Sequence, residues 1–276
     1  MTLVQPQPWY EWAIEDAPGT AVSGAACSLV DIGANTQTWS DGKFWGELVR
    51  AGSAGVAAIV LTGTSVKKVA AASARVEQHK LVSDLVYGGE GDVREPRSAE
   101  LRSVLARLRV LAPEFKPPQL VYTAGVHPHE AKHATDADFA TFVSLLKNDP
   151  ACVAVGECGL DYDRMFSPRD TQLAVFRRQL AMAVKVKKSV FIHERDRDAS
   201  KGSPLGSFPD LLRCIEEELG PSWRKFSEVF CVVIFYNKYT GALTFQHFCK
   251  GTRSVCACTA LLALRSNCPS WCGAVL

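Results

Sequence analysis

"AVGECGLDYD", residues 154–163, sets the problem that the rest of the chain has to answer. An apolar run that begins at Cys152 reaches Glu157, and Gly-Leu-Asp brings Asp161 and then Asp163 close behind. A carboxylate at the end of a buried strand is costly to desolvate unless something positive meets it. An arginine or a metal ion would serve.

Working outward, other apolar runs end in the same kind of residue. "SVFIH" (189–193) closes on His193, "GALTFQH" (241–247) on His247, and "TAGVHPH" (123–129) delivers His127 and His129. Strand-like runs at 28–33, 56–63, 119–126, 152–157 and 189–194 alternate with helix-like stretches at 43–54, 65–80, 135–147 and from 168 onward. Near-continuous apolar strands alternating with helices imply a parallel sheet covered on both faces. In a barrel of such strands the carboxyl ends share one mouth, so residues far apart in sequence converge there. Imidazole and carboxylate are the usual ligands of Zn²⁺, Mn²⁺ and related ions, so Glu157 reads best as a metal ligand. The fold class expected from this pattern is α/β, built on a parallel sheet.

The helix after "GLDYD" is the clearest in the chain. Ser167 is expected to cap it, with Pro168 in its first turn and Asp170 at its positive end. Leu173, Phe176, Leu180 and Val184 are expected to form its apolar face. His79 and His133, in helix-like and loop contexts, read as structural residues, and Cys158 as a small buried one. Asp161 and Asp163 would cap the following loop or support the ligands by hydrogen bonds.

The bulk numbers narrow the class. The 276 residues are 47% hydrophobic with a formal charge of +2, enough for a sizeable core and against a general nucleic-acid coat protein. Ten cysteines would suit a secreted disulfide scaffold only in a much shorter chain. The first basic residue is Lys43, so no charged export or transit segment is expected. The longest apolar run, "VFCVVIFY" (229–236), is too short to span a bilayer. These features point to a reduced protein of the cytoplasm, with the nucleus as an alternative, and no membrane partner.

Three regions stand apart. Residues 1–27 form an acidic, Trp-containing leader expected to be poorly ordered. Residues 84–118 insert a Gly- and charge-rich stretch and a helix near 98–110, whose arginines read as a solvated face. The barrel domain is then expected over 28–252 and a divergent tail over 253–276. No Asp or Glu follows Glu228, although the earlier chain holds all 29. The tail is expected to be a frameshifted, alternatively spliced or mispredicted end. Its rival reading is a zinc knot of Cys256, Cys258, Cys268 and Cys272. The runs at 229–236 and 241–247 compete for the sixth strand, and the last two strands have no candidates.

Five phrases carry a resemblance: "DIGAN" (31–35), "TAGVHPH" (123–129), "VAVGECGLDYDR" (153–164), "DTQLAVFRRQL" (170–180) and "VFIHERDRDA" (190–199). Over about residues 28–200 the chain resembles the TatD family of metal-dependent deoxyribonucleases. The resemblance implies an α/β fold, a TIM (β/α)-barrel of the metal-dependent hydrolase type, incomplete here at its C-terminal strands. It also implies a phosphodiesterase dependent on Mg²⁺ or Mn²⁺, with Zn²⁺ as the alternative, acting as a 3′–5′ exonuclease on single-stranded DNA or 3′ ends. It implies Glu157, His193 and His247 as metal ligands and His127 at the scissile phosphate as the catalytic histidine. Asn35, His129 and Arg195 would contact substrate, and Asp161 would support the ligands. Two departures stand out: Gly33-Ala34-Asn35 replaces a His-x-His phrase, and the family's late Thr-Asp-x-Pro aspartate has no counterpart here. A catalytically inactive relative that binds metal or nucleic acid, and a hydrolase of small esters or amides, are the alternatives.

Overall fold

The computed structural model describes residues 29–88, 98–111, 115–197, 199–220 and 232–235. His247, the leader 1–27 and the cysteine-rich tail lie outside them. The described residues fall into two units. One takes in the residues up to Val60 together with Glu77–Leu120, and the other takes in Leu61–Val76 and the residues from Val121 on.

The strands among the described residues are β1 (Leu29–Ala34), β2 (Val56–Leu61), β3 (Gln119–Ala124), β4 (Cys152–Asp161), β5 (Ser189–Arg195) and β6 (Val232–Phe235), of which β3 to β6 pair in chain order. From β3 to β6 every pairing is parallel. Each new strand therefore adds to the same edge after a helical return, which is barrel-type winding rather than the two-way winding of a dinucleotide fold. The fold is α/β, an incomplete (β/α) barrel over the described residues. Of the two runs competing for the sixth strand, the first supplies β6.

The helices are α1 (Asp41–Ser53), α2 (Val66–Tyr87), α3 (Ala99–Leu111), α4 (Asp136–Asn148), α5 (Arg169–Val186) and α6 (Ser207–Leu219). Within the first unit, α1 buries Phe44, Trp45, Leu48 and Val49, and α3 buries Leu101, Val104, Leu105 and Leu108. Both sets follow the three-to-four spacing of one helical face. The Gly42 amide donates to Glu100 Oε1 at 2.7 Å, joining the two helices at their starts. His79 stacks on Trp45 at 5.6 Å between ring centroids, and burial lowers its pKa, which suits a structural residue.

Several boundaries differ from expectation, each for a local reason. α2 runs on to Tyr87 because no helix breaker intervenes before Gly88, whose φ of 84° ends it. Ser167 does not cap α5. Its hydroxyl donates to the His129 carbonyl and accepts from the Lys132 amide, and Pro168 occupies the cap position without a side-chain bond. The buried face of α5 is turned by one residue from the expected one: Gln172, Phe176, Gln179, Leu180 and Ala183 point inward, while Val184 is exposed. α6 is a helix that sequence reading did not single out, although Leu211, Cys214 and Ile215 mark its buried side.

The strand carrying Glu157 does not stop there. β4 continues to Asp161 because its register with β5 shifts between Val155 and Cys158, a bulge that sets Glu157 aside from the ladder. Two glycines make this path open. Gly156 has φ of 139° and Gly159 has φ of 138°. A Cβ at Gly159 would lie 1.9 Å from the His193 carbonyl oxygen, and one at Gly156 would lie 2.4 Å from that of Phe191. Only glycine fits either place.

Candidate metal centre

The site lies within the second unit, where β3, β4 and β5 end. His127 follows β3, and its amide donates to the Thr64 carbonyl at 2.9 Å. The Glu157 amide donates to the Gly63 carbonyl at 2.7 Å, so the same short segment after β2 seats both residues. His193 is opposite Gly159 in the β4–β5 register, which brings its ring toward the bulge.

The donors converge. His127, Glu157 and His193 each offer one ligand atom, and these atoms lie within 4.8 Å of one another. Glu157 Oε1 is 3.2 Å from His193 Nδ1 and 3.9 Å from His127 Nε2. The Glu157 side chain is only 12% exposed. Among the described residues only these two histidines approach its carboxylate, so no arginine or lysine neutralises it. A nearly buried carboxylate between two imidazoles, with no fixed cation, suits a divalent metal ion in both charge and donor type.

Behind these donors, Asp161 organises the rings. Its Oδ2 is 2.7 Å from His129 Nε2, 3.3 Å from His193 Nε2 and 3.4 Å from Arg195 Nη1. Its Oδ1 accepts from the Arg164 amide. Burial pushes the Asp161 pKa up, but the bonds from His193, the Arg164 amide and His129 outweigh it and hold the carboxyl well below the usual range. His193 shifts the other way. Burial alone would lower it, yet hydrogen bonds to Asp161 and Glu157 raise it. Burial pushes His127 down to about 2, with His193 and His129 adding to the effect, so its ring is neutral. Its Nδ1 accepts from the His129 amide at 3.2 Å. A neutral ring that accepts at Nδ1 carries its proton on Nε2.

Two buried glutamines, which sequence reading passed over, tie this arrangement to α5. Gln179 receives the Val126 amide on Oε1 at 2.8 Å and donates Nε2 to the Val126 carbonyl at 3.0 Å. Gln172 does the same for Asp161, at 2.8 and 3.1 Å, and also donates to the Ser167 carbonyl. Each amide satisfies both backbone groups of one residue as a neighbouring strand would. Their seven-residue spacing, on one helical face, was the available signal.

Of the sequence-selected residues, His127, His129, Glu157, Asp161, His193 and Arg195 come together here. Asn35 follows β1 in the first unit and is exposed. Asp163 is half-buried and pairs instead with Lys201 at 3.0 Å. Cys158 is buried, its thiol pushed up by burial and donating to the Phe191 carbonyl, so it is no nucleophile.

Parallel strands in sequential order, with histidine and carboxylate donors toward their carboxyl ends, define a scaffold of the (β/α)-barrel class with a candidate metal site at its mouth. The profile described as "TatD related DNase" matches residues 30–225. This chain belongs to that family. It is 50% identical over 74 residues to a protein named 3′-5′ ssDNA/RNA exonuclease TatD from Rahnella sp. (strain Y9602), a stretch that covers 27% of this chain and 28% of that protein. With the protein of the same name from Edwardsiella piscicida the identity is 49% over 77 residues, 28% and 29% of the two chains. The matched stretch thus spans less than a third of these curated relatives. Among solved structures, a TatD family hydrolase from Entamoeba histolytica aligns with a TM-score of 0.49 at 20% identity, covering 71% of this chain and 56% of its own. A TatD homologue from Escherichia coli K12 aligns at 0.38 and 19% identity, covering 62% and 52%.

Proposed function

We propose that this protein is a divalent-metal-dependent phosphodiesterase that removes nucleotides from the 3′ ends of single-stranded DNA. The observation that carries the reading is the convergence of His127, Glu157 and His193 on one nearly buried point. The exonuclease name borne by the matched relatives supports the same reaction and substrate class.

In this reading Glu157 and His193 hold the metal, with His247 as a further ligand by family resemblance. By family resemblance the ion is Mg²⁺ or Mn²⁺, with Zn²⁺, which suits imidazole donors, as the alternative. A divalent ion held here would supply Lewis acidity toward water and the phosphate. His127, neutral and protonated at Nε2, donates a hydrogen bond to a phosphate oxygen as charge develops there. Arg195 and His129 contact the flanking phosphate, Asn35 contacts substrate by resemblance, and Asp161 fixes the tautomer and tilt of His193. The barrel domain is taken as 28–252, with 84–118 inserted in it and 253–276 as a separate tail. No helix among the described residues is long and apolar enough to cross a membrane. The cytoplasm is the proposed location, with the nucleus as the alternative.

A second reading, an inactive relative that keeps metal or nucleic-acid binding, is favoured by one sequence fact: residues 229–276 hold no Asp or Glu. The test is degradation of a 5′-labelled single-stranded oligonucleotide with Mg²⁺, Mn²⁺ or EDTA, with Glu157→Ala alongside and circular dichroism on both proteins. Metal-dependent shortening lost in the variant supports the nuclease. A folded wild-type chain that binds the oligonucleotide without shortening it supports the inactive relative.

A further inference from the structure

We propose that Phe166, on the loop after β4, is the platform on which an unpaired base of the substrate stacks while its phosphate enters the metal centre; this rests on the nuclease reading above. Phe166 is 55% exposed and Met165 beside it 44%. Isolated exposed apolar residues are ordinary on protein surfaces and need no explanation. This pair differs in how it is held and in where it stands.

The loop is pinned on both sides of the pair. The Arg164 amide donates to Asp161, and Ser167 is tied to His129 and Lys132 through its hydroxyl and to Gln172 through its carbonyl. Met165 takes a left-handed conformation, φ 49°, between these anchors. Phe166 is therefore fixed outward, with little loop freedom to tuck it away. Its ring meets His129 edge to face, 4.7 Å between centroids at 89°. His129 stands 4.3 Å from His127, and His127 stands 4.4 Å from His193. One ring thus separates Phe166 from the phosphate-facing histidine, within the reach of a single nucleotide. Arg164, two residues before Phe166, and Lys132, whose amide donates to the Ser167 hydroxyl, are both exposed and bring positive charge to these segments for a phosphate backbone.

An aromatic face binds any base, which suits an exonuclease that must not choose its sequence. It also requires that base to be unstacked and unpaired, since a base inside a duplex has both faces covered. Phe166 would thereby make single-strandedness a condition for productive binding rather than a mere preference.

The test compares two 5′-labelled single-stranded oligonucleotides of equal length, one complete and one lacking the bases of its two 3′-terminal nucleotides. Wild-type, Phe166→Ala and Phe166→Trp full-length proteins are assayed with Mn²⁺. On the complete strand, Phe166→Ala is expected to raise KM by about 5- to 150-fold, the range for one lost stack, and Phe166→Trp to retain wild-type KM. On the base-less end the alanine penalty should shrink to about twofold or less, because there is no stack to lose. An equal penalty on both strands would place Phe166 in support of His129 and overturn the proposal. Unchanged KM on the complete strand would overturn it too while leaving the nuclease reading intact. A folded wild-type protein that neither binds nor cleaves either strand would overturn both.

Discussion

His193 Nε2 lies 3.3 Å from Asp161 Oδ2, while the other nitrogen of the same ring faces Glu157 at 3.2 Å. An imidazole held at one nitrogen by a carboxylate and offered at the other to a metal is a common outer-sphere arrangement. Replacing Asp161 by Asn keeps the shape and removes the charge. We expect Mn²⁺ affinity, measured by isothermal titration, to fall about 10- to 100-fold with the fold intact. Wild-type affinity in this variant would show that Asp161 only shapes the loop.

His127 is expected to act after binding rather than in it. It is neutral because burial and two histidine neighbours oppose its charge, and its Nδ1 is already engaged by the His129 amide. His127→Asn should lower kcat by about 10²–10³, the usual loss of one donor to a developing oxyanion. Mn²⁺ affinity should change far less than in Glu157→Ala. Comparable losses of metal binding in the two variants would instead make His127 a ligand.

Gly159→Ala tests whether the path of β4 depends on the absence of a side chain. Its Cβ would meet the His193 carbonyl oxygen, whereas a Cβ at Gly88 meets nothing within 4 Å. Both residues have positive φ. Gly88→Ala should cost about 1 kcal/mol from backbone strain alone. Gly159→Ala adds a clash with fixed backbone and should cost at least about 3 kcal/mol. Urea denaturation compares them, and equal midpoints would refute the close approach.

Asp210 gives a pH-dependent contribution to stability. Its Oδ2 accepts from the Tyr162 hydroxyl at 2.8 Å and from Arg169 Nε at 3.1 Å. Burial pushes its pKa up, but the bonds from Arg169 and Tyr162 outweigh this and lower it in the folded state. A lowered folded pKa means stability fully present above the unfolded value and lost as pH falls through the folded one. Asp210→Asn should therefore cost about 2 kcal/mol near pH 7. The two proteins should converge in stability below the usual carboxylate range. A constant difference from neutral to strongly acid pH would count against the ionised Asp210 as the cause.

Much of this architecture was legible in the chain because it rests on local pattern. Apolar runs gave the strands at their places, and their terminal residues His127, Glu157 and His193 pointed to one end of a parallel sheet. What escaped depends on contacts between distant segments. Nothing near Ser167 announces that His129 and Lys132 will claim its hydroxyl and leave α5 without its side-chain cap. Nothing near Glu157 reveals the bulge that lets β4 continue, since that shift is defined against β5. Gln172 and Gln179 read as ordinary polar helix residues until the backbone they face is known.

Those two glutamines make α5 a ruler. Seven residues at the helical rise separate them by about 10.5 Å, and each grips the backbone of one strand's end. The helix therefore measures the distance between the segment leading into His127 and the residue that steadies His193. A residue inserted between Gln172 and Gln179 would swing one amide away by about 100° and release one of the two grips. Length, more than composition, is what this stretch of helix must conserve.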